Sequence, residues 1–185
     1  MSNLLWIILA IAAVLILWFI GTYNGLIRRR NHVDESWSDI DVQLKRRYDL
    51  IPNLMESVKG YMNHERETLE KVTAARTAAM GAKTLAEHGK AENMLTEALK
   101  SIFAVSENYP DLKASQNFLQ LQDELSDTEN KIQAARRFYN SNVMNLNTAI
   151  QSVPTNLVAG MFNFKPREFF ELSEPAAREA VKVNF

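Results

Sequence analysis

The sequence predicts an all-α fold: an antiparallel bundle of three to four long helices preceded by an N-terminal transmembrane helix. Three observations carry this expectation. Residues 4–20, LLWIILAIAAVLILWFI, hold no charge and no strong polar group. Beyond them, apolar residues recur at alternating three- and four-residue steps, the period of one helix face. Glycine (6) and proline (5) are scarce, which suits long helices and not a sandwich or barrel, whose many turns need both. A chain of 185 residues is long enough to bury one core.

The first element is the apolar run. At about 1.5 Å per residue it spans about 26 Å, close to the hydrocarbon thickness of a bilayer. Trp6 and Trp18 stand near its ends and Tyr23 just beyond, where amphipathic rings favour the membrane interface. The run lacks the basic leader and the small-x-small cleavage site of a signal peptide. Residues 1–22 are therefore read as a retained anchor. No Lys or Arg precedes the span, whereas Arg28, Arg29 and Arg30 follow it closely. The positive-inside rule then leaves a short N-terminus outside and puts the following body in the cytoplasm. The same arginines suit anionic lipid headgroups, so the bilayer is the first expected partner.

The second element is a helix expected over about 23–80. Its seam is Val33, Trp37, Ile40, Leu44, Ile51, Met55, Val58, Met62, Leu69 and Val72, a heptad-like, coiled-coil stripe. Only Gly25 interrupts the stretch 23–33, so the membrane helix is expected to run straight into the bundle. A second helix, about 84–107, opens on Thr84 and Glu87, which have capping-box spacing. Its stripe is Leu95, Ala98, Ile102 and Val105. Asn108-Tyr109-Pro110 marks a turn and a restart. A third helix, about 110–153, carries Phe118, Leu121, Leu125, Thr128, Ile132, Ala135, Tyr139, Val143, Leu146, Ile150 and Val153, and Pro154 ends it. These stripes can bury their apolar faces only against one another.

Within the first seam lies LKRRYDLIPNL, residues 44–54. Pro52 cannot donate its N–H and crowds the carbonyl four residues back, yet the seam continues in register across it. A kinked but continuous helix satisfies both facts. Lys45 and Arg46 fall on the solvent side, within reach of Asp41 and Asp49 on the helix surface. Arg47 lies at or beside the seam. One reading makes the triplet a solvated, paired face; the other has Arg47 partly buried and paired across helices or with a partner subunit.

Composition and motifs argue against chemistry. The 21 Lys+Arg nearly balance the 22 Asp+Glu, so nucleic acid is not an expected partner. The absence of cysteine excludes disulfides, thiol catalysis and Cys-based zinc sites. His64-Glu65 begins like a zinc-protease helix, but Thr68 stands where the second histidine is needed. No Glu-x-x-His pair supports a di-iron bundle site. His32, His64 and His88 are far apart in polar stretches and are read as solvated. There is no phosphate-cradling glycine motif and no Gly-x-Ser-x-Gly elbow. No catalytic residue, metal or cofactor is expected, and the chain reads as a non-enzyme.

The last segment, 154–185, is rich in phenylalanine. Phe162, Phe164, Phe169 and Phe170 are expected to fold back over an end of the bundle and close its core. The alternative is an exposed patch that docks a partner or enters the lipid interface.

These motifs resemble the bacterial LemA family over nearly the whole chain. The carrying stretches are YN at 23–24, RNHV at 30–33, WSDIDVQLKRR at 37–47, DLIPNL at 49–54, and VKGY at 58–61 with His64-Glu65. Later come Tyr109-Pro110, LQLQ at 119–122, TENKI at 128–132, ARRFYN at 135–140 and Phe169-Phe170. Val153 in place of the expected Phe, and a tail at 180–183 without proline, depart from the family pattern. The resemblance implies a single-pass inner-membrane protein with a helical cytoplasmic body and no established catalytic activity. Relatives in magnetosome membranes and beside membrane zinc proteases of the HtpX type imply two roles. The first is a self-assembling scaffold that organises membrane or partner proteins as a homo-oligomer. The alternative is an adaptor or regulator of such a protease or of an envelope sensor.

Overall fold

The computed structural model describes residues 2–62 and 65–171. All regular structure among them is helical, in the order α1 (Ser2–Lys59), α2 (Arg66–Gly81), α3 (Leu85–Ser106), α4 (Pro110–Lys113), α5 (Gln116–Gln151) and α6 (Thr155–Met161). They group into two compact units. The first combines the described residues through Ile40 with Ala134–Phe169; the second combines Asp41–Gln133 with Phe170 and Glu171. The tail beyond Glu171, including Phe185, and His64 lie outside the described residues.

In the first unit, the N-terminal part of α1 packs antiparallel to the C-terminal part of α5. The rings of Trp37 and Tyr139 meet at 5.7 Å, and Asn142 donates to the carbonyl of His32 at 3.4 Å. Farther along, Leu26 meets α6 at Val158 and Ala159, with Ala149 and Ile150 beside them. Residues past α6 run extended along α5. There the Asn147 carboxamide accepts from the Arg167 N–H at 2.8 Å and donates to the Arg167 carbonyl at 2.9 Å. The Tyr139 hydroxyl donates to the Glu168 carbonyl at 3.0 Å, and Arg167 pairs with Asp34 at 2.9 Å.

In the second unit, the expected seam is the core. Leu44, Ile51, Val58, Met62 and Val72 are buried, as are Leu95, Ile102, Phe118, Leu125 and Ile132. The span 23–80, expected as one helix, is two. After Lys59 the amides of Tyr61 and Met62 both bond the carbonyl of Val58 (3.0 and 2.9 Å), closing the turn at Gly60, a residue with poor helix propensity. The chain restarts at Arg66. The Thr84 hydroxyl accepts from the Glu87 N–H at 3.2 Å and the Glu87 carboxylate accepts from the Thr84 N–H at 3.2 Å, the reciprocal cap that starts α3. Proline at the first position of α4 is pre-set for a helix start.

α1 runs without a break through Pro52. Proline supplies no N–H to the carbonyl four residues back, that of Tyr48. That oxygen instead accepts from Nε of Arg76 on α2, at 2.9 Å.

Two differences concern the ends of elements. Val153, placed last on the third stripe, is 80% exposed, because α5 stops at Gln151. The phenylalanines differ in burial: Phe170 is buried, Phe164 half-buried, and Phe162 and Phe169 exposed.

Candidate functional site

Among the described residues, the buried charged side chains Arg47 and Glu92 lie in the second unit, where α1, α3 and α5 meet. Lys45 and Arg46 of the basic triplet are exposed, and Arg46 pairs with Asp127 of α5 at 3.4 Å. Arg47 turns inward and is buried. Its Nη2 donates to Glu92 on α3 and its Nη1 to Glu129 on α5. Nη1 also donates to the Thr96 hydroxyl at 3.1 Å. The Tyr48 hydroxyl donates to the other oxygen of Glu92. The triplet is thus not one solvated face, since Arg47 is held wholly inside.

One guanidinium faces two carboxylates here. Burial pulls the Arg47 pKa below its usual value, while the charge of Glu129 and its hydrogen bond push the other way. Arginine starts so high that it stays cationic. Burial raises the Tyr48 hydroxyl, against the opposing pull of Arg47, so the phenol keeps its proton and donates it to Glu92. A cleft of about 250 Å³ adjoins the cluster, lined by Thr96, Leu99, Phe103, Gln122 and Glu129 among others. The arrangement fixes three helices in register through a planar, multi-donor cation.

The second candidate place is in the first unit. The Phe162 ring lies 5.8 Å from that of Phe19 and 4.6 Å from that of Tyr23. Phe164 meets Tyr23 edge-on at 6.1 Å, and the Arg30 guanidinium stands 5.7 Å over the Phe164 ring. The structure therefore brings Tyr23, Arg30, Phe162 and Phe164 together. Arg28 and Arg29 are exposed beside them. Trp6 and Trp18 are 70% and 39% exposed on α1. Pro52 is exposed on α1 and Phe170 is buried against Gly89 of α3.

A profile of the LemA family matches residues 36–185. The chain belongs to the LemA family. It is 34% identical over 160 residues to Protein LemA of Metamycoplasma hominis, covering 84% of this chain and 72% of that one. It is also 24% identical over 196 residues to Magnetosome protein MamQ of Magnetospirillum gryphiswaldense, covering 89% of this chain and 71% of the other.

In this LemA-family chain two residues escape the periodicity reading. Glu92 is buried although acidic; it stands three residues before Leu95 and seven before Leu99, on the buried face of α3. That seam position is the signal that locates it. Arg76 carries no such signal, since its role depends on a carbonyl opened elsewhere by proline. His88, expected to be solvated, is half-buried on α3, and His32 is exposed, 3.3 Å from Glu35. No group of three or more metal-ligating side chains gathers among the described residues.

Proposed function

We propose that this chain is a membrane-anchored, non-catalytic scaffold of the bacterial inner membrane. It self-assembles through its helical body and organises membrane or partner proteins. The observation that carries the reading is the state of the apolar helix. Its most apolar window has a mean hydropathy of 2.9 and none of its residues is buried. Leu4, Trp6, Ile8, Ile11, Leu15 and Leu17 are each more than half exposed. So much bare hydrocarbon needs lipid around it. Arg28, Arg29 and Arg30 favour a cytoplasmic body. The buried cluster around Arg47 supports a mechanical role, because it stiffens a bundle. The MamQ relative is a magnetosome protein, which supports a part in membrane organisation.

Mass measurement of the full chain in lipid nanodiscs tests this. A defined multimer is the expected result, and a monomer at every lipid-to-protein ratio overturns self-assembly. A second reading, an adaptor for a membrane protease of the HtpX type, is supported by Phe162 and Phe169, which stay 47% and 43% exposed. Changing both to serine should then abolish co-purification with the protease; unchanged recovery removes this reading.

A further inference from the structure

The corner between α5 and α6 carries an apolar surface on its outer side. From Phe138 to Phe164 the chain has no charged residue. α6 turns Val158 and Ala159 inward against Leu26, with Phe19 and Tyr23 packed alongside. The opposite face is apolar too. Leu157 and Met161, four residues apart and so on one face, are 64% and 72% exposed. Val153 is 80% exposed just before them and Phe162 47% just after. Single exposed apolar side chains are ordinary, but a contiguous uncharged group of them marks a contact surface.

Its place in the first unit selects the occupant. The Phe162 ring packs tilted against those of Phe19 and Tyr23, and Phe19 belongs to the apolar run that ends at Ile20. The corner therefore sits at the level where the anchor leaves the hydrocarbon. Cations follow at once: Lys165 is exposed after Phe164, and Arg28, Arg29 and Arg30 are exposed on α1. An apolar edge bordered by cations matches the boundary between acyl chains and anionic headgroups.

We infer that residues 153–162 form a second membrane contact, a wedge that lays Val153, Leu157 and Met161 into the lipid interface beside the anchor. Such a face enters about 5–10 Å into the headgroup and acyl boundary. The inference rests on the membrane-anchor reading and adds to it. The chain then touches the bilayer at two places, so a body-side segment reports on lipid packing and surface charge.

The natural absence of cysteine allows a direct test. The full chain is placed in vesicles containing anionic lipid, with one nitrobenzoxadiazole probe at Leu157→Cys, Met161→Cys, Met144→Cys or Leu15→Cys. Met144 is the reference: it is 55% exposed on α5, near Asn142, which bonds His32 beyond the apolar run. Lipids spin-labelled high on the acyl chain should quench the probes at 157 and 161 at least about twofold more than the probe at 144. Equal quenching at 157, 161 and 144, with the probe at 15 lying in lipid, overturns the wedge and leaves the anchor standing. A probe at 15 that lies in water overturns both. Cross-linking between copies through 157 or 161 without lipid quenching shows that a second chain covers the patch, and overturns the wedge as well.

Discussion

Arg76 donates from Nε to the main-chain oxygen of Tyr48, the acceptor that Pro52 leaves without a helical donor. A side chain of α2 thus completes the hydrogen bonding of α1. An unmet buried carbonyl costs about 1–3 kcal/mol.

Arg76→Ala should therefore lower stability by about 1–3 kcal/mol, read by denaturant unfolding of the full chain in mild detergent. Pro52→Ala restores an N–H in place, and in that background Arg76→Ala should cost much less. Equal costs in the two backgrounds would show that the two residues are not coupled.

The Arg47 cluster predicts a larger effect. Both partners in the Arg47–Glu92 pair have side chains only 2% exposed. Removing one strands the other as a buried charge, so Arg47→Met should cost about 3–5 kcal/mol. Arg47→Met with Glu92→Leu together should recover much of the loss, because Glu129, with a side chain 25% exposed, can turn to water. A single Arg47→Met variant as stable as the parent would sink this account.

Gly89 tests the docking of the segment after α6. A Cβ there would stand 2.5 Å from the Glu171 carbonyl oxygen and 3.8 Å from the Phe170 ring. Alanine gains about 1 kcal/mol in helix propensity, while overpacking costs about 1–3 kcal/mol. The obstacle is main chain and cannot rotate away, so Gly89→Ala should be net destabilising and should expose Phe170. In a Phe170→Ala background the penalty should shrink, as unfolding midpoints will report; a more stable Gly89→Ala variant contradicts the packing.

The α3 cap predicts a pH dependence. The Glu87 carboxylate accepts from the amides of Lys83 at 2.8 Å and Thr84 at 3.2 Å, and these bonds, that from Lys83 foremost, hold its pKa below the ordinary glutamate value. A depressed carboxylate stabilises the fold fully above the ordinary value, and that contribution fades as pH falls through the lower folded value. Glu87→Gln should flatten the stability profile over that acidic window while leaving the neutral part parallel. Side-chain NMR titration of Glu87 gives the independent check, and an unshifted curve would refute it.

Much of this fold is legible because the signals act over a few residues. Thr84 and Glu87 cap a helix by reaching one turn, Pro110 starts one by its fixed φ, and the stripes from Leu44 to Val58 and Phe118 to Leu146 follow one period. The charged cluster is legible only in halves. A seam position tells that Arg47 is inward, but its partners sit on two other helices, and no local rule joins them. Glu92 at a buried position is the unused half of that evidence. The break after Lys59 is harder, since Met62, Leu69 and Val72 keep near-helical spacing across it while Gly60 and the next residues turn. The close approach of Glu171 to Gly89 has no one-dimensional trace at all.

The bonds from Asn147 to Arg167 have a further consequence. Both pass through a single carboxamide, a group that hydrolyses slowly to a carboxylate as proteins age. The product would still accept the Arg167 amide but would set one oxygen against another at its carbonyl. A carboxylate at 147 would thus loosen one of the two bonds, while Tyr139 at Glu168 and Asp34 at Arg167 would keep the strap in place.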